Sequence, residues 1–188
     1  LHGVDCGYAY ETILKICKSA GPDWLPCKGF GLDQRTSFSQ PKQTDRTTAY
    51  IGEGCYVQRL PKKGTKLVQA DANHWKSKLH GGLQAAVGER NAFTLFHAAA
   101  RRHDGFCKQL TAERQDETFE PGRGRSMVWE VIHRQNHWLD STSIASVVLH
   151  LIEFWHGRLL GRHGSTAAVP NAGGSQQQTW WGQLKRKK

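Results

Sequence analysis

Apolar positions recur along this chain at two different periods, and together they predict alternating strands and helices. Residues 2–5, His-Gly-Val-Asp, read as the end of a short buried strand that stops at Asp5, with Gly7 supplying the turn. Tyr10, Ile13, Leu14 and Cys17 then fall on one face of a helix predicted over residues 8–19, closed by Gly21 and Pro22. Residues 24–28, Trp-Leu-Pro-Cys-Lys, are a second strand, which Pro26 places at a sheet edge or a strand end. Strand, helix and strand with such short joints predict a parallel β-α-β unit.

Beyond it, residues 29–64 are rich in Gly, Gln, Thr, Lys and Pro and read as a long excursion with a hairpin at 50–60. A strand at 66–69 leads to Asp71 or Asn73, either of which could cap a helix through Trp75, Leu79 and Leu83. Residues 92–96 read as a short extended segment and 127–132 as a strand. Residues 110–117 open Leu-Thr-Ala-Glu-Arg, whose Thr111 and Arg114 fit a helix start only in part. The clearest element is a helix over 137–160, where Ile144, Val148, Leu151, Trp155 and Leu159 recur at helical spacing. After Gly161 the sequence turns to Gly, Ser, Ala and Gln. This divides the chain into a domain at 1–162 and a disordered basic tail at 163–188.

Composition narrows the class. Hydrophobic residues make up 38%, with seven Trp and seven Phe, which suits a folded domain. No apolar run reaches the roughly 18 residues of a membrane span, and the N-terminus lacks the basic region of a signal peptide. The chain opens with Leu1 rather than Met and reads as a piece of a longer protein. The five cysteines form no Cys-x-x-Cys pair and read as reduced, mostly buried thiols.

The net charge is +10, of which the terminal Lys185, Arg186, Lys187 and Lys188 carry +4. Residues 35–78 hold nine bases against three acids. Such a clustered excess suits a phosphate backbone, or a solvated basic loop. Lys28, Lys62 and Lys63 are candidate contacts to such a phosphate backbone, with ordinary surface lysine as the equal alternative.

Two carboxylates stand where chemistry is plausible. Asp5 ends a strand at a βα turn, the usual place for sites in open α/β sheets. Asp140 lies in the first turn of the long helix, where free amides and the helix dipole tolerate negative charge. Acids from distant positions can share divalent cations, which prefer oxygen ligands. A capping or turn role is the plainer alternative for each. His133 and His137 are four apart, but no Glu follows the first as in His-Glu-x-x-His, so a zinc site is not expected.

Four landmarks change the balance. Val4-Asp5-Cys6-Gly7-Tyr8, a helix and then Leu25-Pro26-Cys27-Lys28-Gly29 resemble the lambda-type terminase large subunits. In that family a strand ending in Asp-x-Gly-Tyr or Asp-Thr-Gly leads to a helix and a strand ending in Pro-x-Lys-Gly. Gln109-Leu110-Thr111-Ala112-Glu113-Arg114 is similar to the family's Gln-Leu-Thr-Ala-Glu segment. Trp129, followed by Arg134-Gln135-Asn136-His137-Trp138-Leu139-Asp140, resembles its Trp and Arg-x-Asn-x-x-x-Asp before an apolar helix.

The resemblance spans about residues 1–160 and implies an α/β, RNase H-like fold, a mixed sheet flanked by helices. It implies an Mg- or Mn-dependent endonuclease that cuts concatemeric phage DNA during packaging at a two-metal site. Asp5 would be the second of three acids and Asp140 the third. The first, in an Asp-x-Gln strand, has no counterpart here, and neither does the Gly-x-x-x-x-Gly-Lys phosphate loop of a packaging ATPase. The chain is therefore expected to lack its first strands and to cleave weakly or not at all alone. Implied partners are double-stranded DNA, the terminase small subunit and the portal, in the host cytoplasm. The alternatives are a non-catalytic DNA-binding remnant and another RNase H-like nuclease of resolvase or transposase type.

Overall fold

The computed structural model describes residues 1–31, 38–42, 46–89, 91–120, 122 and 124–159. The expected tail at 163–188 lies outside them, as do Arg35 and Asp45 of the basic segment. The fold is mixed α/β, and its sheet begins with the predicted unit. Strand β1 (His2–Asp5), helix α1 (Tyr10–Ala20) and strand β2 (Trp24–Phe30) follow in order, and β1 pairs in parallel with β2 from His2↔Trp24 to Asp5↔Cys27.

The hairpin is β3 (Thr48–Gly52) and β4 (Cys55–Leu60), and the next strand is β5 (Thr65–Asp71). Strand β5 pairs antiparallel with β4 and parallel with β2, giving the order β1-β2-β5-β4-β3. Thus β2 is an interior strand, and the expectation from Pro26 needs correction. The β2–β5 ladder begins only at Cys27↔Val68. Pro26 therefore stands where β2 has a paired neighbour on one side alone, and its missing N–H is tolerated there.

Helix α2 (Ala72–Gln84) starts directly at the end of β5. Asp71 is its cap, accepting from the amides of Asn73 at 3.0 Å and His74 at 3.1 Å. Residues 92–96 form no regular strand; the Phe93 amide donates to Gly82 O at 2.8 Å instead. A short helix α3 (Asp104–Leu110) comes next, and then a separate antiparallel ribbon, β6 (Glu113–Glu120) with β7 (Gly124–Val131).

Here too the sequence reading changes. Thr111 closes a helix rather than opening one, its hydroxyl donating to Cys107 O at 2.9 Å, and Glu113 begins a strand. Helix α4 (His137–Leu159) matches the predicted long helix.

The core explains the placement. Leu25 and Cys27 of β2, Cys55 and Val57 of β4, and Val68 and Ala70 of β5 share one sheet face. They pack against Trp75 of α2 and Val147, Val148 and Leu151 of α4. Each large side chain so buried contributes about 1.5–3 kcal/mol. A second cluster joins Leu79 of α2, Leu110 of α3 and Leu139 of α4. It ties the start of α4, and with it Asp140, to the α2 side of the sheet. Cys6, Cys17, Cys27 and Cys55 are buried free thiols, while Cys107 is exposed. No helix among the described residues is long and apolar enough to cross a membrane.

Candidate active site

The parallel strands β1, β2 and β5 end on one side of the sheet, and a cavity of about 370 Å³ opens there. Open α/β sheets place sites at this end because the strands stop and the turns leave room. Asp5, Gly7, Lys28 and Gly29 line it from the first unit, Ala70 and Lys76 from β5 and α2, Glu113 and Trp129 from the ribbon, and Asn136 and Asp140 from the start of α4.

Asp5 is exposed where β1 stops, and its Oδ1 accepts the Gly7 amide at 2.9 Å. A Cβ on Gly7 would stand 3.3 Å from that oxygen, so the bare turn lets the carboxylate fold back on the loop. The other oxygen, Oδ2, has no hydrogen-bond donor among the described residues. Asp140 reaches the same cavity from the first turn of α4. Burial pushes its carboxyl above the ordinary value, an effect that the charges of Glu113 and Asp5 reinforce and that Lys76 opposes. The two aspartates of the sequence reading are thus brought together.

Two residues of the site carried no role in the sequence reading. Glu113, whose side chain is 2% exposed, accepts from Lys76 Nζ at 2.8 Å through Oε1 and 2.7 Å through Oε2. Its Oε1 also accepts from Asn136 Nδ2 at 2.6 Å. Lys76, whose side chain is 12% exposed, also brings its ammonium within 3.2 Å of Asp140 Oδ1. Glu113 falls inside the Gln-Leu-Thr-Ala-Glu landmark, and that was its only signal. Lys76 was one base in a basic stretch, with nothing to mark it as buried.

Of the candidate DNA contacts, Lys28 lines the cavity, its ammonium 5.1 Å from the Phe30 ring and 6.0 Å from that of Tyr10. Lys62 and Lys63 do not line it. They are exposed in the turn before β5, at the opposite end of that strand from the cavity-lining Ala70, and Lys63 pairs with Glu11 at 2.6 Å. His133 and His137 are exposed. Among the described residues no group of three or more His, Cys, Asp or Glu is placed to hold a metal ion.

The donor set nonetheless fits a hard cation in part. Asp5 and Asp140 offer carboxylate oxygens, the ligands that Mg and Mn prefer. Glu113 is the poor fit, because its oxygens are already engaged by Lys76 and Asn136.

No curated protein and no solved structure matches the chain. A family model described as terminase large subunit gpA, endonuclease domain, matches residues 3–158. That match runs from β1 to the end of α4 and takes in every cavity-lining carboxylate, so the chain belongs to the family of terminase large subunit gpA endonuclease domains.

Proposed function

We propose that this chain is the DNA-cutting part of a phage packaging motor, with an RNase H-like arrangement and an Mg- or Mn-dependent site at Asp5 and Asp140. One observation carries the reading. Two acids separated by 135 positions line one cavity at the carboxyl ends of parallel strands. When bound, the ion would lower the pKa of an attacking water and polarise the phosphate. Water adds to phosphorus, one P–O ester bond breaks, and the departing oxygen takes up a proton.

The protein's own contribution is positional. Asp5 and Asp140 would hold the ion, and the turn amide of Gly7 fixes one Asp5 oxygen. Lys28 offers a cation to the DNA phosphate beside them, held by contact with aromatic rings. Lys62 and Lys63 would reach a duplex only where it extends past the cavity.

Strand β1 forms the edge of the described sheet, and an apolar groove lined by Gly3, Ile144, Val148 and Ile152 runs beside it. A strand bearing the family's first acid would add there, next to Asp5. The working context we infer is concatemeric DNA, the small subunit and the portal, in the host cytoplasm.

The engaged state of Glu113 favours a second reading, a DNA-binding remnant without catalysis. Nicking of supercoiled plasmid separates the two. A chain extended to include the upstream strand should nick in Mn or Mg, stop with a chelator, and lose activity in D140N and D5N. Equal cutting with both aspartates replaced would contradict the metal assignment.

A further inference from the structure

Lys76 is the unusual residue of the cavity. Lysine carries three N–H donors, and among the described residues its ammonium faces three carboxylate oxygens: Oε1 and Oε2 of Glu113 and Oδ1 of Asp140. It stands between an acid of the ribbon and an acid of α4, a position a bridging cation would take in a site built on shared carboxylates.

The charge balance points the same way. Asp5, Glu113 and Asp140 bring three negative charges to the cavity and Lys76 and Lys28 return two positive, so a single divalent ion already exceeds the charge that remains. Glu113 is buried, so its charge needs a fixed partner, and Lys76 and Asn136 together supply one. A second divalent ion would need the Glu113 oxygens that Lys76 holds, and would sit against its ammonium.

We propose that Lys76 is a resident cation that fills the Glu113–Asp140 position and limits this site to a single divalent ion, held by Asp5 and Asp140. The proposal rests on the metal-dependent reading of the site above and departs from the two ions that the family resemblance implies. Lys76 acts here by holding a place and a charge, and its effect is on ion number rather than on proton transfer.

The test counts ions without using activity. The chain is titrated with Mn, and the free-ion electron paramagnetic resonance signal gives the bound number. Circular dichroism reports folding of each variant. One ion per chain is expected for the wild type and for K76R. K76M should take up a second, and K76M/E113Q should return to one.

Two ions bound by the wild type, or by K76R, overturn the proposal, and this needs no neutral variant to fold. A folded K76M that still binds one ion also overturns it, while leaving the Asp5–Asp140 reading in place. No ion in any variant contradicts that reading itself, and the proposal falls with it. K76Q gives the same comparison should K76M fail to fold.

Discussion

A Cβ placed on Gly3 of β1 would stand 2.6 Å from Cγ2 of Ile144 in α4, and 2.7 Å from Cγ2 of Val148. The bare backbone at this point lets α4 lie directly on the edge strand. Because Gly3 is two residues before Asp5 and Ile144 one turn after Asp140, this contact sets the spacing of the two acids. Gly3→Ala should therefore force the helix outward, at a cost of about 1–3 kcal/mol for overpacking. Urea denaturation checks it. Gly105→Ala, in α3 with nothing within 4 Å of the added carbon, is the control and should be neutral or slightly stabilising.

The Lys76–Glu113 pair predicts strong coupling. Removing the lysine alone strands a buried carboxylate, and K76M should cost about 3–5 kcal/mol. E113Q alone should also destabilise, but K76M/E113Q should cost clearly less than the two single changes added. A double-mutant cycle measured by denaturation gives the coupling directly, and simple additivity would show that the pair is not energetically linked.

Stability should fall on mild acidification because of two partly buried histidines, His80 and His150. Burial lowers the pKa of both His80 and His150 below the ordinary 6.5, opposed at His80 by a hydrogen bond with the Leu110 backbone and the charge of Glu113, and at His150 by the charges of Glu153 and Glu53. Above 6.5 both the native and the unfolded chain carry them neutral. As pH drops through that value, the unfolded chain takes up protons that the native imidazoles resist, so unfolding gains. His150, which shares a 2.9 Å hydrogen bond with the Tyr50 hydroxyl, is the better probe. His150→Gln should make the acid loss of stability shallower, and an unchanged slope would remove the histidine from the account.

DNA affinity should depend on Lys28. Its removal should weaken binding to all duplexes alike and reduce the salt slope by about 0.9, the value for one phosphate contact. Charge reversal at Lys62 and Lys63 should flatten the slope too if the duplex runs that far. A slope unmoved by K62E/K63E would make those lysines bystanders, with Lys63 serving only its bond to Glu11.

How far the sequence told this in advance depends on the kind of signal each residue leaves. Helix α1 and helix α4 were legible because their apolar spacing is regular. Strand β1 was placed by the turn at Gly7, and the burial expected of it is not found, since His2, Gly3 and Asp5 are exposed on the edge of the described sheet. Asp71 was legible as one of two caps, since an Asp before a helical pattern has few other uses. Helix α3 was missed because seven residues give too little periodicity. Thr111 misled because a threonine hydroxyl can close a helix as well as open one.

In the site, Asp5 and Asp140 were found through element ends and family landmarks. Lys76 and Glu113 were not given roles, because their meaning lies in each other. They are 37 positions apart, and only the docking of the ribbon beside α2 makes a surface-looking lysine and a strand-start glutamate into a buried pair.

Asp5 and Asp140 are proposed to hold a divalent ion jointly. Anomalous diffraction from crystals soaked in Mn tests it most directly. A peak is expected in the cavity within about 2.0–2.6 Å of oxygens from both aspartates, the distances usual for hard divalent ions. The peak should disappear in D140N. An intact crystal with no peak there, or with an ion bound elsewhere and unaffected by D140N, would contradict the assignment.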